Sequence, residues 1–370
     1  MAEDITFRNY RPGDEQGVVE LLRDAFGEWP KLDIVCSRVD YWRWKYTGSP
    51  FSDTGEMVVV AEDADKIIGV CSMNVYPVQL GGESALFSYA GDHAVSKEYR
   101  GRGLSGRLIE ENRVNRDKLG IKYTYFVTQN PILVKSYDKR YHVFPVPIIN
   151  MVRIDDVELQ LSKIPMEYEW LMKTGYKALQ YANRVMNRPT GLYGGLEIES
   201  TREFPLEVDE LYRAQGRMGF MVNNSRDYLN WRFCDPRAGP YRIFLAWDGD
   251  RLVGYVVSRV NRFIEDYHIG YIVDLLALPG EKGAVEFLLE SALAEMDQQG
   301  INIVLSMIPK GHRYEPCYAG QGFVDSRKNL HLYTNLNTWG EEAKLEVLNP
   351  DQVHFNFGSI DSLPVNYPNI

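Results

Sequence analysis

Cysteine is scarce. The chain of 370 residues has four, Cys36, Cys71, Cys234 and Cys317, and no two form a C-x-x-C pair. Nothing in that spacing supports a disulfide framework or a cysteine zinc site, so free, mostly buried thiols in a reducing cytoplasm are expected. The six histidines are scattered too, and no metal site is expected. No run approaches the ~18 apolar residues of a membrane span, and the start, MAEDITFRNY, has no apolar signal region. Positive charge is in deficit, with 41 Lys and Arg against 51 Asp and Glu and a net charge of −10. That argues against nucleic acid or a membrane surface as partner and is compatible with a cationic amine substrate. The phosphate loop G-x-x-x-x-G-K-[ST] is also missing.

What the chain does have is a strand, a glycine turn and a helix between Ser88 and Gly120. Ser88 to Val95 reads as strand, Arg100-Gly101-Arg102-Gly103-Leu104-Ser105-Gly106 as the turn, and the helix runs to about Lys118. Glycines at such a turn let the backbone approach a ligand closely. The unpaired N–H groups that open the helix, with its dipole, suit a pyrophosphate, and Arg100 and Arg102 add positive charge there. A dinucleotide fold would place an acidic residue at the end of the next strand. Here that strand, Tyr123 to Gln129, ends in Thr128-Gln129-Asn130.

Arg100-x-x-Gly103-x-Ser105-Gly106, preceded by His93-Ala94-Val95-Ser96-Lys97-Glu98-Tyr99, resembles the acyl-CoA motif of the GNAT N-acetyltransferase superfamily. Lys97 stands where the family usually has proline, and Ser105 where it has glycine or alanine. The resemblance implies a mixed α/β fold with acetyl-CoA as co-substrate and no metal. In it, the backbone of His93, Ala94 and Val95 holds the pantetheine, Arg100 to Gly106 hold the pyrophosphate, and Asn130 gives a polar contact to the CoA arm. Tyr137, in the position of the family's Y-x-x-x-G-F tyrosine, is the expected general acid, although Tyr141-His142 replaces Gly-Phe.

The order of elements fits. Strands are expected at Ile5–Tyr10, Met57–Ala61, Ile67–Val75, Ala85–Val95, Tyr123–Thr128 and Val143–Ile154, the last broken by Pro145 and Pro147. Helices are expected at Asp14–Phe26, Asp40–Tyr46 and from Asn130 through Tyr137. The second half then echoes the first. Trp44 and Trp231, Gly69 and Gly254, and Tyr137 and Tyr318 lie in similar surroundings 187, 185 and 181 positions apart. This order and near-constant offset point to a duplicated domain. The second copy has Pro279-Gly280-Glu281-Lys282-Gly283 where the first has its arginines, so it reads as a degenerate, GNAT-like copy. The expected division is 1–155 for the acyl-CoA domain, 156–199 for a linker with a helix, 200–336 for the degenerate domain and 337–370 for a C-terminal extension. Each domain is expected to carry its own sheet, and Val347 to Phe357 to add a strand or cross back over the first domain.

Acyl transfer to an amine needs the amine deprotonated, the oxyanion stabilised and the leaving thiolate protonated. The GNAT resemblance implies that the N–H of Val95 polarises the thioester carbonyl. By strand parity Tyr89, Gly91 and His93 would face the cleft, with Asp92 on the other side. The base is left open between His93, a water and the C-terminal carboxylate, the last because the two-copy layout resembles acetyltransferases of the enhanced-intracellular-survival type. The expected function is N-acetyl transfer to a small-molecule or peptide amine, with no nucleic-acid or membrane partner. The alternatives are transfer of a longer-chain or aminoacyl group, and a non-catalytic CoA sensor.

Overall fold

The computed structural model describes residues 5–51, 55–121, 123–128, 134, 141–163, 169–186, 191, 193–334, 349–361 and 363. Asn130, Tyr137 and the terminal carboxylate of Ile370 lie outside the described residues.

The first half opens with β1 (Thr6–Asn9), α1 (Glu15–Phe26) and α2 (Arg38–Thr47). α1 turns Val18, Leu21 and Leu22 inward at helical spacing and stops at Gly27, whose φ is 81°. α2 is capped by the Ser37 side chain, which accepts from the Asp40 N–H at 3.0 Å. Strands β2 (Val58–Asp63), β3 (Lys66–Leu80) and β4 (Glu83–Val95) follow, then α3 (Leu104–Lys118) and β5 (Tyr123–Thr128). Alternation along β2 splits its side chains between two layers. Val58 and Val60 pack under α1 and α2, while Val59 and Ala61 pack with Leu104 and Leu108 of α3 on the opposite face.

Next come β6 (His142–Val143), β7 (Ile148–Ile154), α4 (Val157–Lys163) and α5 (Glu169–Met186). The second half repeats the plan with β8 (Glu197–Thr201), α6 (Glu207–Arg213), β9 (Phe220–Val222) and α7 (Arg226–Leu229). It continues with β10 (Tyr241–Asp248), β11 (Arg251–Asn261), β12 (Ile269–Ala277), α8 (Lys282–Gln298), β13 (Ile303–Pro309), α9 (Glu315–Gly320) and β14 (Val324–Thr334). The segment expected to add a strand or cross back over the first domain includes, among its described residues, the short β15 (Val353–His354), which pairs in parallel with β9.

The halves do not carry separate sheets, contrary to the sequence expectation. One continuous sheet runs in the order β1-β2-β3-β4-β5-β14-β7-β13-β12-β11-β10-β8. The cause is an exchange of strands. β14 of the second half pairs with β5 of the first, and β7 of the first half pairs with β13 of the second. Local duplication survives this. Gly69 on β3 lies under Leu108, and Gly254 on β11 lies under Leu288. At either glycine an added Cβ would come within 3.0 Å of the leucine methyl. The indoles of Trp44 and Trp231 stack at 5.4 Å across the centre, and each donates its Nε1–H to the other's backbone carbonyl, at 3.0 and 3.3 Å. That reciprocity marks an approximate two-fold relation between the halves.

Candidate functional site

The site begins where two parallel strands part. β4 and β5 pair at Phe87–Tyr123, Ser88–Thr124 and Tyr89–Tyr125, and no further. β5 then keeps β14 on its other side, so the β5-facing edge of β4 from Ala90 to Val95 borders a gap. Ser96 donates its N–H to Ile68 on β3 at 2.8 Å. Antiparallel alternation therefore turns Ala94 toward β3 and the backbone of His93 and Val95 toward the gap. The Val95 carbonyl accepts from Arg100 Nε at 3.2 Å.

α3 starts beside this edge. Gly101 and Gly103 have φ of 79° and 81°, which only glycine adopts without strain, and Gly103 is the N-cap. A Cβ on Gly101, Gly103 or Gly106 would meet nothing within 4 Å, so the ground in front of the helix start is open. Arg102 rests over the Tyr99 ring and donates to the Glu98 carbonyl. Leu104 buries its side chain under the sheet face and offers only its N–H. The Ser105 hydroxyl meets His93 Nε2 at 2.8 Å.

The parity reading of β4 is corrected by a bulge. Cys71 pairs with His93 but Met73 pairs with Ala90, so β4 holds one extra residue at Gly91-Asp92. Tyr89 and Asp92 consequently share the face of α2, and the His93 ring lies on the α3 face. Gly91 is required here because a Cβ would approach the Tyr46 hydroxyl to 2.7 Å. That hydroxyl accepts the bulge's freed Asp92 N–H at 2.9 Å and donates to the Asp92 carboxylate at 2.5 Å. Lys45 Nζ reaches the same carboxylate oxygen at 3.0 Å. Burial alone would pull the Lys45 ammonium down, but Asp92 and then Asp361 outweigh it and hold it above its ordinary value. Burial, reinforced by Asp92, raises the Tyr46 phenol well above its usual range. His93 is shifted the other way, since burial lowers it and favours the neutral ring.

Asp92 is thus the functional candidate that sequence reasoning placed on the wrong face. A glycine followed by a charged residue inside an apolar strand was the available signal of a bulge. The C-terminal segment joins the same face. Asp361 accepts from Asn74 and from the Tyr76 hydroxyl, and the Tyr125 hydroxyl donates to the Ser359 carbonyl.

The second half has the same parting, but there a side chain fills it. β12 and β13 pair only from Ile269–Ile303 to Tyr271–Leu305, and β12 carries the corresponding bulge at Val273-Asp274. Ala277 opposes Gly254 as Val95 opposes Gly69. Its N–H donates to the Tyr314 hydroxyl at 3.0 Å, and its carbonyl accepts from that hydroxyl at 3.2 Å. Asp274, the counterpart of Asp92, accepts from Asn356 at 2.7 Å and contacts His354 at 3.0 Å. Glu281 stands at the N-cap of α8, where a phosphate would meet like charge.

A sheet whose parallel strands part beside a glycine-opened helix defines the GNAT acyltransferase fold. The Acetyltransferase (GNAT) domain matches residues 6–130, and the Acetyltransferase (GNAT) family matches residues 205–323. The chain belongs to the GNAT family, with one such domain in each half. No curated protein sequence matches it. Among solved structures it resembles N-myristoyltransferase of Saccharomyces cerevisiae with bound myristoyl-CoA, at 12% identity and a TM-score of 0.60, over 90% of this chain and 79% of that one. It also resembles a GCN5-related N-acetyltransferase from Anabaena variabilis, at 14% and 0.58 over 89% and 72%. Another from Kribbella flavida gives 12% and 0.57 over 90% and 71%. At such identities the likeness is one of fold.

Proposed function

We propose that the protein transfers an acetyl group from acetyl-CoA to a primary amine by direct attack, at one site in the first half. The observation that carries this reading is the asymmetry of the two gaps. Among the described residues the gap-facing N–H of Val95 has no partner, whereas Tyr314 occupies that of Ala277. Acetyl-CoA would lay its pyrophosphate against the N–H groups of Leu104, Ser105 and Gly106, with Arg100 and Arg102 beside it. Its pantetheine would follow His93 to Val95, with the thioester carbonyl near the Val95 N–H.

The acceptor would enter from the α2 face. Asp92 would hold the incoming ammonium and receive its proton, directly or through a water. The neutral amine then attacks the carbonyl carbon, and the Val95 N–H stabilises the oxyanion. As the intermediate collapses the carbon–sulfur bond breaks and the nitrogen gives up its second proton to solvent, leaving the neutral amide. Tyr137 would protonate the departing thiolate. Tyr137→Phe is expected to cost about 10²-fold in turnover with acyl-CoA affinity kept, while Tyr318→Phe leaves turnover intact. Wild-type turnover in Tyr137→Phe, where chemistry limits, would remove the tyrosine from the mechanism.

The acyl end of the gap favours a short group. Tyr76, Phe87, Tyr89 and Tyr125 are buried together where β4 and β5 rejoin, with the Tyr89 and Tyr125 rings 5.0 Å apart. A long chain would have to displace them. The second reading, a longer acyl group, draws on the fold's likeness to the myristoyl-CoA-bound enzyme. Thiol release measured with acetyl-CoA and with longer acyl-CoAs over a panel of amines separates the two. Turnover only with long-chain donors would displace the acetyl assignment. Binding of acyl-CoA without turnover across a broad amine panel would favour a sensor.

A further inference from the structure

A cavity lies away from the β4–β5 gap, where β7 of the first half meets β14 and α9 of the second. It has a volume of about 540 Å³ and is bounded by β7, α5, α9, the loop before α9 and the first part of β14. Pockets of this size accept small organic molecules. Met151, Leu179, Ala319 and Phe323 give it apolar walls, while His312, Arg313 and Arg327 bring hydrogen-bond donors to its lining.

These donors have few acceptors of their own. Arg313 Nε is buried without a hydrogen-bond partner among the described residues, and its guanidinium lies over the Tyr314 ring at 5.4 Å. No ion pair joins either arginine to a carboxylate among the described residues. His312 is 5% exposed. Burial, then Arg313 and His354, push its imidazole down to about 3, so it is neutral near pH 7. Its Nδ1 accepts from the Tyr314 N–H at 3.2 Å, which places the ring proton on Nε2. The two lining carboxylates already have donors. Glu315 accepts from the Gly311 N–H at 2.8 Å, and Asp325 from the Arg327 N–H at 2.7 Å. Arg327 is held at a φ of 59° in a break of register between β14 and β7, a turn that sets it on the cavity rim.

We propose that this cavity binds an organic carboxylate with an apolar body, its carboxylate on Arg313 and Arg327 and its hydrocarbon against Met151, Leu179 and Phe323. A planar carboxylate matches the paired donors of a guanidinium, and the apolar walls distinguish such a ligand from a bare inorganic anion. The site does not depend on the acyl-transfer reading, because it shares no residue with the β4–β5 gap.

Calorimetric titration of the full chain with sodium octanoate tests it, with octanol, octylamine and inorganic phosphate as comparators. Saturable octanoate binding that exceeds all three is expected. It should weaken at least ~10-fold in Arg327→Gln, an exposed position whose change loses no packing, and in Arg313→Gln. Affinity for acetyl-CoA should stay unchanged in both variants. Absence of saturable octanoate binding would overturn the proposal. So would equal binding of octanol or octylamine, preference for phosphate, or octanoate affinity unchanged in both variants.

Discussion

Asp92 owes its position to one extra residue in β4. Without the bulge its carboxylate would lie under α3, and with it the carboxylate meets Lys45 and Tyr46 on the acceptor face. If Asp92 receives the proton of the incoming amine, Asp92→Asn keeps the shape and removes the base. It is then expected to lower kcat/KM by about 10²-fold or more with little change in acetyl-CoA affinity. Steady-state kinetics alongside calorimetric binding check this, and unchanged kcat/KM would return the base to a water or the C-terminal carboxylate. His312 supports a prediction of a different kind. Its folded value of about 3 lies below the ordinary value of 6.5. Between those values the unfolded chain binds a proton that the folded chain refuses, so stability falls as pH drops from about 6.5 toward 3. His312→Gln should flatten that part of the profile, measured as urea midpoints against pH. An equally steep profile in the variant would show that other groups govern the acid limb.

At the scale of the element, the openings of α3 and α8 are the sharpest contrast between the halves. Gly106 and Gly283 both lie in a first helical turn without positive φ, and a Cβ at either meets nothing within 4 Å. A glutamate is therefore tolerated sterically by the fold at both. At Gly106 it would set a negative charge where the pyrophosphate is proposed to lie, and like charges in such contact cost several kcal/mol. Gly106→Glu is expected to weaken acetyl-CoA binding by roughly 100-fold or more, and Gly283→Glu to leave it unchanged. Equal losses in the two variants would mean that both halves bind the cofactor.

For the whole molecule, the exchange of β7 and β14 ties the halves into one sheet, with the paired indoles of Trp44 and Trp231 at its centre. Neither half can complete its strand order without the other. Heating is expected to give one calorimetric transition whose van't Hoff enthalpy equals the measured enthalpy. Two resolved transitions would show that the halves melt independently despite the exchange.

Much of this organisation is local and was legible in the residues. Gly101 and Gly103 ahead of α3 mark the turn proposed to hold the phosphates, because their positive φ belongs to glycine. The recurrence of Trp44 as Trp231 and Gly69 as Gly254 reveals the duplication, since each copy must fill the same packing positions. Three features depended on tertiary structure. The face of Asp92 hangs on a bulge, and a one-residue insertion reverses parity for everything beyond it. The joining of the sheets rests on hydrogen bonds between strands distant in sequence, such as β5 with β14, which leave no periodic trace. The closure of the second gap rests on Tyr314 folding back to Ala277, a contact across 37 positions. Local pattern records which face of an element is apolar. Only the assembled chain determines which edge meets which, and therefore that Tyr314 closes the second of two similar gaps.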